Sequence, residues 1–134
     1  MPSPEIQVVA AVIERNGRIL IGQRKRGSKH SLKWEFPGGK IEAGETPRAA
    51  LKRELREELA IDAVIGEELG RYNFQYPGAP LTQLFFFRVT EFRGEPQNLD
   101  FEQIVWERRG LLSTHDFLEG DIEFVRRLES SEPT

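Results

Sequence analysis

The sequence predicts an α+β fold in which a mixed β-sheet is flanked by helices. Three observations indicate this class. Strand-like segments outnumber helical ones, one strongly charged helical segment interrupts them at residues 46–59, and a second, short helical pattern follows at residues 121–128. The 134 residues fit a single domain spanning residues 1–134, with residues 129–134 expected to form a frayed tail.

The strands are expected where short apolar, β-branched runs lie between turn signals. Asn16-Gly17 is a strong hairpin signal because both residue types tolerate positive φ, and the dense apolar run 84–87 indicates a central, buried strand. The predicted strands are residues 6–13, 19–21, 62–76, 81–91 and 103–109, with a basic loop at 24–33, a turn at 34–39 and a break at 77–80.

The first helix has a clear start signal. Thr46 is a suitable N-cap, and Pro47 at the first helical position loses no hydrogen bond that the helix needs. In the second helix, Ile122, Val125 and Leu128 have the spacing of a short amphipathic segment. Both helices are therefore expected to pack an apolar face on the sheet.

The composition excludes several kinds of site and partner. The chain has no cysteine, which excludes disulfides, thiolate nucleophiles and cysteine-rich zinc sites. A net charge of −3 without a long basic run argues against binding of a nucleic-acid polymer. There is no secretory signal pattern and no apolar run of about 20 residues, the length of a membrane span. We expect a monomer in the cytoplasm that acts on a small molecule.

The charges of the first helix are segregated. Its acids lie along one edge of an apolar leucine stripe and its bases along the other. Glu54 and Glu58 form a like-charge i, i+4 pair, and Glu58 lies almost on the apolar stripe, where a bare carboxylate is costly to bury. A solvated helix with salt bridges is the alternative, but it predicts interleaved charges. A divalent cation such as Mg²⁺ or Mn²⁺ would neutralise the acids.

These residues match the signature of the Nudix family, in which a glycine, a glutamate and an Arg-Glu-aliphatic-any-Glu-Glu segment recur at fixed spacing. The matching positions are Gly39, Glu45, Arg53, Glu54, Leu55, Glu57, Glu58 and Ile61. Ala60 departs from the pattern, which has a glycine there, and is expected to be tolerated if its backbone avoids positive φ.

The resemblance extends over nearly the whole chain to the MutT-type branch. The segments that carry it are residues 34–40, 44–47 and 94–96. It implies an α/β/α Nudix sandwich and Mg²⁺-dependent hydrolysis of an oxidised or non-standard (deoxy)nucleoside triphosphate to the monophosphate and pyrophosphate. The alternatives are a pyrophosphatase of a nucleoside diphosphate derivative such as ADP-ribose, and a non-catalytic nucleotide-sensing domain.

The resemblance also implies roles for single residues. Glu54, Glu57 and Glu58, with the carbonyl of Gly38, are expected to bind the cation, and Glu54 is also the candidate general base. Arg53 is expected to hold the acids in place, and Lys40 to contact the phosphates. A further acid is expected after the apolar strand, where Asp100 aligns best and Glu102 competes with it. Glu45 either caps the helix or faces the cation.

A nucleoside site is expected at Arg24, Phe36, Tyr76 and Asp121. The two aromatic rings are candidates for base stacking, with a plain core role as the alternative. Because ionised Asp121 only accepts hydrogen bonds, it favours a base edge with donors, such as the amine of cytosine or guanine. Alternatively Asp121 is the N-cap of the last helix. Structural or surface roles are expected for the two histidines, His30 and His115, and for the serines Ser31 and Ser113.

Overall fold

The computed structural model describes residues 6–131. Strands and helices alternate there in the order that the sequence indicates, with additional short strands. The strands are β1 (Ile6–Arg15), β2 (Arg18–Gln23), β3 (Trp34–Glu35), β4 (Gly38–Lys40), β5 (Asp62–Val64), β6 (Glu68–Phe74), β7 (Thr82–Val89), β8 (Glu91–Arg93) and β9 (Gln103–Arg108). The helices are α1 (Pro47–Leu59) and α2 (Glu119–Ser130), preceded by a 3₁₀ helix at Arg109–Thr114.

The main sheet is mixed, as predicted. Its strands lie in the order β3-β2-β1-β7-β6, with β4 paired to β1 and β9 paired to β2. Only the central pair β1 and β7 is parallel among the pairings of this sheet within residues 6–131. Strands β5 and β8 form a small separate antiparallel pair. The predicted hairpin at Asn16-Gly17 is confirmed, since both residues have positive φ between β1 and β2.

Two hydrophobic cores lie on opposite faces of this sheet, because side chains alternate along β1. Val9, Ala11 and Ile13 belong to the core that includes the leucines of α1. Ala10 and Val12 belong to the other core, which includes Phe124, Val125 and Leu128 of α2. The layers are therefore helix, sheet, helix, and the predicted α/β/α sandwich is confirmed.

Three predicted turn or strand segments divide differently in the structure. Residues 34–40 contain two short strands around the expected turn. The single strand predicted over residues 62–76 is wrong, because residues 62–64 pair with β8 while only residues 68–74 join the main sheet. The strand predicted over residues 81–91 likewise divides after Val89. Strands of two or three residues form through their partners and leave too little alternation to be read locally.

The C-terminal helix is longer than predicted. It begins at Glu119 and continues through Ser130, so Glu129 and Ser130 are helical although the sequence assigns them to the tail. Residues 132–134 of that tail lie outside the described residues. None of the helices within residues 6–131 is long and apolar enough to cross a membrane.

Candidate functional site

Helix α1 and strand β4 together form the charged end of the candidate site. The side chain of Thr46 accepts a hydrogen bond from the amide of Ala49, and Pro47 occupies the first turn, so both predicted start signals are confirmed. Strand β4 pairs with residues 8–10 of β1 and packs against α1. This pairing brings the backbone of residues 38–40 against the acidic edge of the helix.

The two glycines of β4 are required because neighbouring groups lie too close to their Cα atoms to leave room for a side chain. A Cβ at Gly38 would lie 1.9 Å from the carbonyl oxygen of Val9. A Cβ at Gly39 would lie 2.5 Å from the carboxyl carbon of Glu54. Both distances are shorter than any real contact, so a side chain at either position displaces the sheet or the glutamate. The glycine pair therefore fixes how closely the backbone approaches the acids.

Arg53 holds most of the acidic edge in place. Its guanidinium donates two hydrogen bonds to the carboxylate of Glu45, at 2.7 and 2.9 Å, and one to Glu54 at 2.9 Å. It also contacts Glu57 at 3.3 Å and donates to the carbonyl oxygen of Lys40 at 3.1 Å. Charge-assisted, bidentate bonds of this kind fix geometry as well as adding energy. These bonds agree with the positioning role that the resemblance implies for Arg53, and that role stays a prediction.

Glu45 serves Arg53. Both of its carboxylate oxygens accept bonds from Arg53, and one also accepts from the amide of Glu42. The Arg53 guanidinium lowers the pKa of Glu45 to about 2. The alternative in which Glu45 caps the helix is wrong, because Thr46 takes that place. Glu45 is therefore placed to orient the guanidinium of Arg53.

Glu58 is a buried carboxyl group without a cationic partner. Its residue is only 7% exposed, and no lysine, arginine or histidine within residues 6–131 forms an ion pair with it. One oxygen accepts a hydrogen bond of 2.9 Å from the amide of Gly38. Burial, helped by the nearby charges of Glu54, Glu35 and Asp100, raises the pKa of Glu58 to about 9.

Glu54 and Glu57 lie on the same edge with different exposure. The Glu54 side chain is 16% exposed, and burial raises its pKa against the opposing effect of Arg53. The Glu57 side chain is 59% exposed and lies at the outer side of Arg53. In this conformation no three acidic or histidine side chains of residues 6–131 converge as a closed cation cage. The acids are instead held by Arg53 and by the amide of Gly38.

These residues fit a divalent cation nonetheless. A carboxyl group as buried as Glu58 is costly to ionise unless a positive charge lies beside it. The charges of Glu54 and Asp100 both raise its pKa, which shows that three acids already share one region of negative potential. The available donors are oxygens, which Mg²⁺ and Mn²⁺ prefer.

A cavity of about 370 Å³ opens beside the acids. Glu58, Gly38 and Lys40 line it at one end, and Tyr76 and Asp121 line it at the other. Asp100 also lines this cavity. Glu102 does not, and its carboxylate accepts a bond from the amide of Arg26 instead. The structure therefore brings Asp100 to the site and separates Glu102 from it.

The far end of the cavity contains a buried acid, Asp121, and a partly buried one, Glu35. Asp121 is 7% exposed, and burial raises its pKa to about 8. It is not the N-cap of α2, since Leu118 holds that position and no side chain accepts a capping hydrogen bond there. Burial favours the protonated carboxyl group, which both donates and accepts hydrogen bonds, whereas an ionised Asp121 only accepts them. The second acid, Glu35, contacts Arg24 at 3.3 Å, and burial raises the pKa of Glu35.

The two aromatic residues of the predicted nucleoside site differ in solvent exposure and in the rings that pack against them. Phe36 is 3% exposed and packs edge-on against Phe86 and Phe124, so it forms the floor of the cavity within the core. Tyr76 is partly exposed, but the ring of His30 covers it at a centroid distance of 4.6 Å. Neither ring offers an open face for stacking in this conformation.

Two lining residues were missed by sequence reasoning. Glu35 stands between Trp34 and Phe36 in the segment that carries the family resemblance, but nothing local shows that it is partly buried at the cavity. His30 was assigned a structural or surface role, whereas it lines the cavity. Its position in a basic loop gives no periodic signal. For Glu35, the only local signal is its position between two aromatic residues, Trp34 and Phe36.

Ala60 ends α1 with a left-handed backbone, the conformation that the family's glycine would adopt more easily. Its φ is +58° and its ψ +34°, a left-handed conformation, and its amide donates to the carbonyl of Arg56. The condition under which Ala60 was expected to be tolerated, a backbone without positive φ, is therefore not met. The helix stops there because the carbonyl of Arg56 needs this closing bond, even though the residue is not glycine.

Comparisons with known proteins agree with this architecture. The NUDIX domain profile matches residues 4–128. The 8-oxo-dGTP diphosphatase of Haemophilus influenzae is 39% identical over 124 residues, covering 92% of this chain and 90% of that protein. The CTP pyrophosphohydrolase of Escherichia coli is 44% identical over 101 residues, covering 75% of this chain and 74% of that protein.

Solved structures give the same result. The solution structure of the E. coli ORF135 protein superposes with a TM-score of 0.83 at 36% identity, covering 96% of this chain and 94% of that one. A MutT structure from work on Aliivibrio salmonicida and Vibrio cholerae superposes with a TM-score of 0.80 at 29% identity, covering 93% and 97%. With a matching profile over most of its length and relatives of this similarity, the chain belongs to the Nudix hydrolase family and is of the MutT type.

Proposed function

We propose that the protein is a Mg²⁺-dependent nucleoside triphosphate pyrophosphohydrolase that removes oxidised or non-standard nucleotides from the nucleotide pool. One molecule of water and one nucleoside triphosphate give one nucleoside monophosphate and one pyrophosphate. The observation that carries the proposal is the buried, cation-free Glu58 beside the glycine pair, at the edge of a cavity of about 370 Å³. Cavities of this size are typical of small-molecule sites.

The cation would be held by oxygens of Glu54, Glu57 and Glu58, with the carbonyl of Gly38 and with Asp100 as the further acid. Bound Mg²⁺ would supply charge neutralisation for the triphosphate and polarise the phosphorus that water attacks, and Mn²⁺ is a possible substitute. A cation is needed because the acidic edge is negatively charged and would otherwise repel the triphosphate.

The chain's own residues perform the remaining steps. Glu54 is the proposed general base, because its carboxyl group is held by Arg53 beside Gly39 and because burial raises its pKa towards the optimum for accepting a proton from water. Arg53 holds Glu54 in one orientation. Lys40 lines the acidic end of the cavity, where its ammonium group would contact the phosphates.

The base would lie at the end lined by Arg24, Tyr76 and Asp121. A protonated Asp121 offers a donor and an acceptor, as a side-chain amide does, and this supports an oxidised guanine such as that named for the H. influenzae relative. A modified cytosine is the second candidate, because the CTP pyrophosphohydrolase of E. coli has the higher identity. We also propose that the protein acts as a cytoplasmic monomer on free nucleotides.

The test is pyrophosphate release with Mg²⁺ across normal, 8-oxo-guanine and modified-cytosine triphosphates, with ADP-ribose included. We expect metal-dependent pyrophosphate release from at least one triphosphate and its loss, by orders of magnitude, in Glu54→Gln. The exposed helical residue Glu123 provides the control, Glu123→Gln, which should keep full activity. Turnover of ADP-ribose alone would contradict the proposal, and nucleotide binding without turnover would indicate a sensing domain.

A further inference from the structure

The loop between β2 and β3 places an aromatic ring in the cavity. His30 is partly buried, lines the cavity and packs on Tyr76, with ring centroids 4.6 Å apart and planes tilted by 38°. Its φ is +57°, a left-handed conformation that side chains other than glycine rarely adopt. Such a conformation is retained only where surrounding contacts favour it, and here it points the ring towards the cavity.

Tyr76 is fixed, whereas His30 is not. The Tyr76 hydroxyl accepts a hydrogen bond of 3.1 Å from the amide of Gly120, and Phe74 packs edge-on against its ring at 4.7 Å. In contrast, the imidazole of His30 makes no hydrogen bond with any protein group within residues 6–131. The tilted packing on Tyr76 is its only contact with another aromatic ring within residues 6–131, and its ring nitrogens remain available to a ligand.

The surroundings favour an uncharged imidazole. Burial lowers the pKa of His30, and the nearby cations Arg24, Lys29 and Lys33 lower it further, against a smaller opposing effect of Glu119 on α2. An uncharged heteroaromatic ring stacks well on another flat ring system. Phe36 is buried within the core, so the partly exposed aromatic rings that line the cavity are those of His30, Phe74 and Tyr76, and Phe74 packs edge-on against Tyr76.

We propose that His30 is a specificity-determining residue that stacks on the nucleobase of the substrate, with Tyr76 as the fixed ring behind it. The inference rests on the proposed nucleotide substrate and deepens it, since it assigns base contact to the β2–β3 loop. Tyr76 then acts on the base through His30, which is why its hydroxyl is anchored and its outer face is covered.

The first test is direct because the chain has only two histidines. The ring C–H signals of His30 and His115 are followed by NMR while CMP or 8-oxo-dGMP is added to saturation. His115 is the internal reference, since it packs on Trp34, binds Glu107 and is not among the cavity residues. We expect the His30 signals to shift upfield and the His115 signals to stay. Saturation with no change at His30 would overturn the proposal.

The second test separates stacking from a merely structural role. His30→Ala should raise KM about 5- to 10-fold with kcat nearly unchanged, as expected for the loss of one aromatic stack. His30→Phe keeps an aromatic ring at the same backbone position and should restore KM. An unchanged KM in His30→Ala, or a KM in His30→Phe as high as in His30→Ala, would overturn the proposal. Absence of pyrophosphate release by the wild-type protein would instead refute the proposed function.

Discussion

Replacing Glu58 by glutamine should make the metal-free protein more stable. The substitution keeps the shape of the side chain and an oxygen that can accept the hydrogen bond from the amide of Gly38. It removes only the ionisable group. Because Glu58 is 7% exposed and has no cationic partner within residues 6–131, the free energy of unfolding should respond to its protonation.

The expected magnitude follows from the pKa. Glu58 titrates at about 9 in the folded protein, against an ordinary value of 4.5. Below pH 4.5 both states are protonated and the group costs nothing; as the pH rises above 4.5, only the unfolded state ionises, so the folded state loses stability until about pH 9. Each pH unit in this window costs about 1.4 kcal/mol, which gives about 3 kcal/mol at pH 7.

The assay is urea unfolding of the wild-type protein and Glu58→Gln in EDTA at pH 5, 7 and 8, with Glu123→Gln as the exposed-helix control. We expect the advantage of Glu58→Gln to be small at pH 5 and to grow with pH, while the control stays close to the wild type. Added Mg²⁺ should stabilise the wild type by mass action and leave Glu58→Gln nearly unchanged. A variant that is less stable than the wild type at every pH would refute the reasoning.

Three further substitutions test the helix and the acids. Ala60→Gly should raise the free energy of unfolding by about 1 kcal/mol, measured by urea unfolding, because Ala60 has a φ of +58°; no gain would contradict its left-handed assignment. Arg53→Lys should lower kcat about 10- to 100-fold with a normal circular dichroism spectrum, because lysine cannot make the paired bonds; near-normal kcat would contradict the positioning role. Gly39→Ala should lower kcat about 100-fold by displacing Glu54, and full activity would show that the 2.5 Å approach is not required.

The charged helix was predictable because its signals are local. Period, cap and charge segregation all lie within residues 46–59, and the structure places Leu51, Leu55 and Glu58 on the buried side. The anomaly that pointed to a cation was a glutamate on an apolar stripe, and that glutamate is buried. Local consistency of this kind is what a single sequence reveals best.

The far end of the cavity was less predictable because it is assembled from distant segments. Asp121 comes from α2, Tyr76 from the turn after β6 and Glu35 from the two-residue strand β3. Their burial depends on how three segments pack, so Asp121 was read as ionised although burial raises its pKa. His30 reaches the cavity because its backbone is left-handed, and nothing in the sequence of its basic loop predicts that conformation.

The most direct test of the central claim is to measure the products formed from 8-oxo-dGTP and from modified cytosine triphosphates with Mg²⁺, and with EDTA in its place, by the wild-type protein and Glu54→Gln. We predict equal amounts of nucleoside monophosphate and pyrophosphate from the wild type with Mg²⁺, and almost none in EDTA or from Glu54→Gln. Release of orthophosphate, or undiminished turnover by Glu54→Gln, would contradict the account.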